Sequence, residues 1–414
     1  MNQAAPAAPE APSALPAPPG PAIRQTDAAA LAQALRASRQ DTLALFALGQ
    51  AAGASAVPQR PELNPPLWEL GHIGWFQTWW LARNPQRGRW PAADADALRP
   101  ADAGDALYDS SRVPHDSRWS LPLPDADATR AQLAAQLQQT LVLLQDAPAN
   151  DDALYFFRLA LLHEDMHHEA GLYIAQALGW PVADARWQPQ PLAEANPALV
   201  FDAGPWRLGH SGPGFAFDNE LGAHTVDLPA SRIDSRVQRW ADFLPFVQAG
   251  GYAQGRFWSP AGKAWRVRHL AQVGPQPLHL RQQAGAWQQH RWGRWQALNP
   301  ALPASHLSFF EAEAWCAWAG RRLPSEAEWE RAAVTQPGAF GWGAVWEWTA
   351  SPFTAYPGFA AHPYRDYSAP WFGSRQVLRG ASFATQPRMQ HPRYRNFFTP
   401  DRTDIFSGFR SCAV

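Results

Sequence analysis

Cysteine is scarce, with only Cys316 and Cys412 in 414 residues. That excludes a disulfide framework as the source of stability. Lysine is scarcer still, and Lys263 stands alone among 35 basic residues. The formal net charge is -1 and no stripe of basic residues occurs. Clustered cations are needed to hold backbone phosphates, so nucleic acid is excluded as the main partner. No run of eighteen apolar residues is present, which argues against a membrane-spanning helix. The first residues lack the basic-then-apolar pattern of a secretory leader, and the reading is a cytoplasmic monomer.

What is abundant is tryptophan, 22 of them, most in the C-terminal half. Such rings fill a core with little regular secondary structure, and they can also wall a site for a cation. The length calls for two domains. Residues 1–24 are an Ala/Pro-rich tail that cannot bury apolar surface and reads as disordered. Residues 25–185 carry four helical patterns. Thr26-Asp27 caps the first, Pro65-Pro66 opens the second, and Asp125 or Asp127 caps the third. The fourth spans 153–178 and is closed by Gly179 and Pro181. A long loop over 84–124 crosses between the second and third, which suggests a four-helix bundle. Residues 186–414 read as an irregular α+β domain. It has short strands near 206–208 and 377–379 and helices near 236–249 and 308–319. A further helix starts at the Ser325-Glu-Ala-Glu328 capping box.

The chemistry concentrates in His163-Glu-Asp-Met-His167-His168-Glu169 on the fourth helix. A spacing of four places His163 and His167 on one helix face, where two imidazoles can share a metal. His72, in the middle of the second helix, can supply a third nitrogen from across the bundle. Imidazole ligands alone leave zinc, copper, nickel and iron open. His168 points about 100° away and is not placed in the set. Glu164 and Glu169 fall off the ligand face.

The C-terminal half carries Phe217-Asp-Asn-Glu220, Gly250-Gly-Tyr252 and Ala319-Gly-Arg-Arg-Leu-Pro-Ser-Glu-Ala-Glu-Trp-Glu330. Val345-Trp-Glu-Trp-Thr349, Tyr356-Pro-Gly-Phe359, Val377-Leu-Arg-Gly380 and Phe406-Ser-Gly-Phe-Arg410 follow. These motifs resemble the formylglycine-generating-enzyme fold, a C-type-lectin variant, and the helical half resembles a DinB-like bundle. Both halves in this order, over roughly residues 27–413, resemble the ergothioneine-type sulfoxide synthases. The resemblance implies an Fe(II) ion on His72, His163 and His167, with hercynine and O2 as substrates. It places Asn396 beside the betaine, with Phe397 and Phe398 as an aromatic wall for its quaternary ammonium. It offers Tyr364 and Tyr367, in Pro363-Tyr-Arg-Asp-Tyr367, as catalytic tyrosines.

Three departures set the chain apart within the resemblance. Met166 stands where many members have Gln. Leu107-Tyr-Asp-Ser-Ser-Arg-Val-Pro114 replaces an Asn-Ser-Tyr-Tyr segment, and Asn396-Phe-Phe398 replaces Asn-Trp-Asp. The branch these features are most similar to is the selenoneine synthases, which join hercynine to a selenosugar. Asp109, Ser110, Ser111 and Arg112 then supply partners for sugar hydroxyls. The alternatives are an ergothioneine-type sulfoxide synthase using cysteine or γ-glutamylcysteine, and a non-catalytic C-type-lectin-like binding module.

Overall fold

The computed structural model describes residues 22–53, 57–91 and 97–414. The tail expected over 1–24 lies outside these up to residue 21. Its last residues differ from expectation, because Ala22–Gln25 form a helical turn. The reason is electrostatic. Arg24 is buried and its guanidinium binds Glu220 (Nη2 to Oε1, 3.0 Å) and the carbonyl of Phe215, so this turn is pinned to the C-terminal half.

Four long helices follow, Ala28–Ala51, Pro66–Trp80, Ala126–Gln145 and Asp151–Leu178. Their starts are chemically defined. Asp27, Asp125 and Asn150 each accept the backbone N–H three residues on, satisfying a donor that the helix leaves free. The fourth ends where Gly179 adopts φ 73°, a left-handed turn that costs glycine little. The second helix is apolar on nearly every side, burying Trp68, Ile73, Trp75, Phe76 and Trp80. That composition suits a helix enclosed by three neighbours. The connection over 84–124 is not wholly irregular, since Asp105–Tyr108 forms one helical turn and His115–Trp119 a 3-10 turn.

Beyond residue 198 the chain becomes the expected α+β arrangement. Val345–Pro352 is central to one sheet, flanked antiparallel by Gln376–Ala381 and parallel by Ser407–Gly408, with Asn396–Phe398 at the far edge. A second sheet runs Leu199–Phe201, Ser231–Ile233, Cys412–Ala413, Arg321–Arg322. Helices Trp240–Gln248, Phe309–Ala319 and Glu326–Thr335 stand near their predicted places. A fourth, Pro260–Gln272, is absent from the sequence reading. The core is held by tryptophans (Trp240, Trp329 and Trp348 are fully buried) and by charge pairs. Arg379 binds Glu330 at 2.8 Å, Arg395 binds Glu326 at 2.9 Å and Arg410 binds Glu347 at 2.7 Å. Buried arginines persist only when a carboxylate meets their planar fork, which explains the Arg and Glu of the recurring motifs.

The halves meet along the fourth helix. Glu169 is buried and accepts from Trp346 Nε1 (2.7 Å), Ser382 Oγ (2.6 Å), Thr385 Oγ1 (2.7 Å) and its own neighbour Tyr173 (2.7 Å). Asp165 binds Arg388 through both oxygens, at 2.7 and 2.6 Å, and also accepts from Ser38. Among the described residues no helix is long and apolar enough to cross a membrane.

Candidate metal centre

The bundle brings His72, His163 and His167 together, with one ligand nitrogen from each lying within 4.8 Å of the others. Two of these, the Nε2 atoms of His163 and His167, are 3.2 Å apart. Donors about 2.1 Å from one ion stand about this far apart when the angle between them is near 100°. Each ring is held differently. His72 Nδ1–H donates to the carbonyl of Tyr108 at 2.7 Å, and its ring is stacked on Trp68 at 4.8 Å. His167 Nδ1–H donates to the carboxylate of Glu69. His163 lies flat against Phe76 at 3.5 Å between ring centres, and its Nδ1 is buried without a hydrogen-bond partner among the described residues. In His72 and His167 the outer nitrogen is committed to an acceptor, so the lone pair of Nε2 faces inward.

Electrostatics keep His72 and His163 unprotonated. Burial, and then the proximity of His167, push His72 down to about 3. Burial with the same histidine neighbours holds His163 well below the usual imidazole range. Neutral imidazole is the ligand form, so these residues are ready for a metal at neutral pH. Burial favours protonation of Glu69, but His167, His72 and Asn64 outweigh it and hold the carboxyl below its ordinary range. Glu69 is therefore an anion beside the triad. The donor set fits a borderline cation such as iron(II) or zinc.

Of the tyrosines, Tyr364 reaches the centre. Its ring meets Phe76 edge-on at 4.9 Å and lies 6.2 Å from His163. Burial raises its phenol pKa, and the carboxylates of Asp366, Asp109 and Asp218 add to this, so Oη keeps its proton. Tyr367 stands one ring further back. It stacks on Phe217 at 4.5 Å and its hydroxyl meets that of Tyr394 at 3.1 Å. Tyr394 in turn donates to the sulfur of Met166 at 3.5 Å.

Phe397 and Phe398 do not form one wall. Successive strand residues face opposite ways. Phe397 stacks on Phe353 at 4.0 Å with Tyr367 at its edge, whereas Phe398 lies under the guanidinium of Arg402. Asn396 is half-buried and its Oδ1 accepts from the N–H of Phe397 at 2.9 Å. Ser111 and Arg112 are exposed and both turn to Asp109, through Ser111 Oγ at 2.6 Å and Arg112 Nε at 3.3 Å. Asp109 itself is buried and close enough to influence Tyr364, which joins this loop to the centre.

His168 stays out of the set, its ring 4.8 Å from Trp187. Glu164 is paired with Arg39 at 2.8 Å. Sequence reasoning missed three supporting groups. Glu69 sits three residues before His72, a helix-neighbour spacing that could have revealed it. The carbonyl of Tyr108 and the flat contact of Phe76 carried no such signal.

Residues 184–341 and 336–413 match the sulfatase-modifying factor enzyme 1-like domain. The fold and the site thus define a helical bundle with a three-histidine centre joined to a domain of that type. Most of the chain is matched by curated relatives. It is 34% identical over 413 residues to the hercynine oxygenase of Mycolicibacterium smegmatis, a match covering 84% of this chain and 91% of that protein. It is 32% identical to the hercynine oxygenase of Mycobacterium tuberculosis with the same coverage. The formylglycine-generating enzyme of Streptomyces coelicolor is 28% identical over a match to 57% of this chain. The chain belongs to the hercynine oxygenase family.

Proposed function

We propose that this enzyme joins a selenosugar to the imidazole carbon of hercynine, using O2 and an Fe(II) ion held by His72, His163 and His167. The observation that carries the reading is the converging three-histidine set with a protonated tyrosine one ring away, in a chain related over most of its length to hercynine oxygenases. Iron(II), when bound, supplies the activation of dioxygen for the oxidative coupling.

The chain's own residues do the rest. Glu69 and the Tyr108 carbonyl fix the orientation of two ligands. Tyr364 holds a proton at Oη where a reacting group can receive it. Phe76 and Trp80 exclude water around it. The ring of Tyr367, with Phe397 at its edge, offers an aromatic face to a trimethylammonium group, and Asn396 supplies a polar contact beside it. Asp109, Ser111 and Arg112 form a hydroxyl-binding rim for the sugar. Residues 25–185 are the metal-binding half and 186–414 the half that shapes the substrate site.

Support for selenium comes from the loop 107–114, which differs from the thiol-using pattern and carries Asp109, whose charge acts on Tyr364. The second reading, a sulfoxide synthase acting on cysteine or γ-glutamylcysteine, shares the three-histidine set and the bundle-plus-domain organisation. Formylglycine-generating chemistry finds no support, since burial keeps the thiols of Cys316 and Cys412 protonated, the latter pushed up to about 12.

The test is a product assay by mass spectrometry. Iron(II)-loaded protein receives hercynine and air with a selenosugar, its thiosugar analogue, cysteine or γ-glutamylcysteine in separate tubes. A hercynine–selenium adduct from the selenosugar alone is expected. A sulfoxide from either thiol in preference to it would overturn the choice of donor, and no adduct in any tube would overturn the reaction.

A further inference from the structure

Asn64, Pro65 and Pro66 lead into the second helix, whose first two turns carry Trp68, Glu69 and His72. Pro65 restricts the backbone of Asn64 to extended conformations, which limits where its amide can reach. That amide lies between two charges. Its Nδ2–H donates to Glu69 Oε1 at 2.5 Å, and its Oδ1 accepts from Arg118 Nη1 at 2.8 Å. Chemistry dictates this orientation. A guanidinium only donates and a carboxylate only accepts, so the amide oxygen must face Arg118 and the nitrogen must face Glu69. The other oxygen of Glu69 accepts from His167 Nδ1–H. An unbroken line of hydrogen bonds thus runs from Arg118 through Asn64 and Glu69 to one histidine of the set.

Arg118 reaches a second histidine by another route. Its guanidinium lies over the ring of Trp68, 3.9 Å from the ring centre. Trp68 and His72 are four apart on one helix, and their rings stack 4.8 Å apart at 10°. Trp68 Nε1 donates to the carbonyl of Leu107 at 2.8 Å, which restrains the indole from turning. A cation over an indole face is attracted to it, the more so where water is excluded. Arg118 belongs to the short turn His115–Trp119 of the long crossover, so it arrives at both places by tertiary packing. Its Nε is buried with no hydrogen-bond partner among the described residues, and such a donor carries a cost. The side chain holds its place in spite of that cost, and the two contacts above both lead to the histidine set.

We infer that Arg118 is a positioning residue for the metal centre, setting His167 through Asn64 and Glu69 and His72 through the face of Trp68. The inference rests on the three histidines holding a metal, and it is independent of which chalcogen donor the enzyme uses. The shape of the cation matters. Lysine can replace the hydrogen bond to Asn64 but cannot lay a flat fork on the indole.

The test is a cobalt(II) titration of the full chain followed by visible absorbance, which reports both the affinity and the geometry around the ion. A wild type that binds no cobalt would overturn the centre itself and this inference with it. With cobalt bound by the wild type, Arg118→Met should weaken it by about tenfold or more and shift the absorption bands. Arg118→Lys should recover part of that loss. Asn64→Asp sets one carboxylate against another while leaving Arg118 and Trp68 in place, and it should also weaken cobalt binding. The double variant of Arg118→Met with Glu69→Gln should lose less than the product of the two single losses, because the two residues act on His167 in series. An Arg118→Met protein with a lowered unfolding midpoint but the affinity and bands of the wild type would show a merely structural role and overturn the inference. So would single losses that multiply in full, which would separate Arg118 from Glu69. Should Arg118→Met fail to fold, Arg118→Lys and its double variant with Glu69→Gln decide the same question.

Discussion

Glu69 and His167 face each other across the second and fourth helices, the carboxylate accepting from Nδ1–H. The pair fixes one tautomer of a metal ligand and leaves its Nε2 free. Such a carboxylate also raises the basicity of the ring it holds. Glu69→Gln should therefore keep the fold and lower metal affinity by about 10- to 100-fold. Competition with a chromogenic chelator measures this. Unchanged affinity would mean that Glu69 only satisfies a buried donor.

Removing a ligand should act more strongly. His167→Ala leaves two nitrogens, and elemental analysis after anaerobic loading should find metal near background. His168→Ala, one residue along and turned toward Trp187, should load as the wild type does. Equal loss in both would show that the fourth helix, and not the ligand set, had been damaged.

Tyr364 and Tyr367 separate by distance from the centre. Tyr364→Phe should retain metal and lower turnover by about 10²- to 10⁴-fold, the range for loss of a positioned proton donor. Tyr367→Phe removes a hydroxyl that meets Tyr394, and its effect should fall mainly on KM for the betaine substrate. Steady-state kinetics of both variants checks the order.

Acid stability has a contributor outside the site. Hydrogen bonds from Arg83 lower the carboxyl of Asp105 to about 2, and Trp75 Nε1 and the N–H of Asp102 add to this. The folded value is below the unfolded one, so the stabilisation is complete above about pH 4 and fades as pH falls toward about 2. With solvent screening it amounts to about 1 kcal/mol. Asp105→Asn should flatten the acid limb of a urea-denaturation series by that amount between those pH values.

Glu169 is the buried acceptor for four side-chain donors, three of them from the other half of the chain. Glu169→Ala leaves those donors unmet and should cost about 2–4 kcal/mol. Glu169→Gln keeps an acceptor and should cost less. Equilibrium unfolding of the two variants gives the ranking.

The parts of this molecule that were legible in the sequence are those set by local chemistry. Asp27, Asp125 and Ser325 mark helix starts because their side chains cap the backbone directly, and the spacing of His163 and His167 follows from helical geometry. Pro260–Gln272 was missed although Ser259 caps it and Pro260 opens it, because a Ser-Pro pair also marks a turn. The Tyr108 carbonyl could not be foreseen, since it comes from a one-turn helix in a long crossover and arrives by tertiary packing. Phe397 and Phe398 read together as one aromatic wall for a quaternary ammonium, and strand alternation separates them.

The contacts of Asp165 and Glu169 bear on how such chains can be recombined. Both sit on the helix that carries His163 and His167, and both are matched by residues more than two hundred positions downstream: Arg388 for one, Ser382 and Thr385 for the other. The bundle and the domain after it are consequently not interchangeable modules. A chimera that takes its first half from this protein inherits two buried acids, and it will assemble only with a second half that presents a cation and two hydroxyls at matching places.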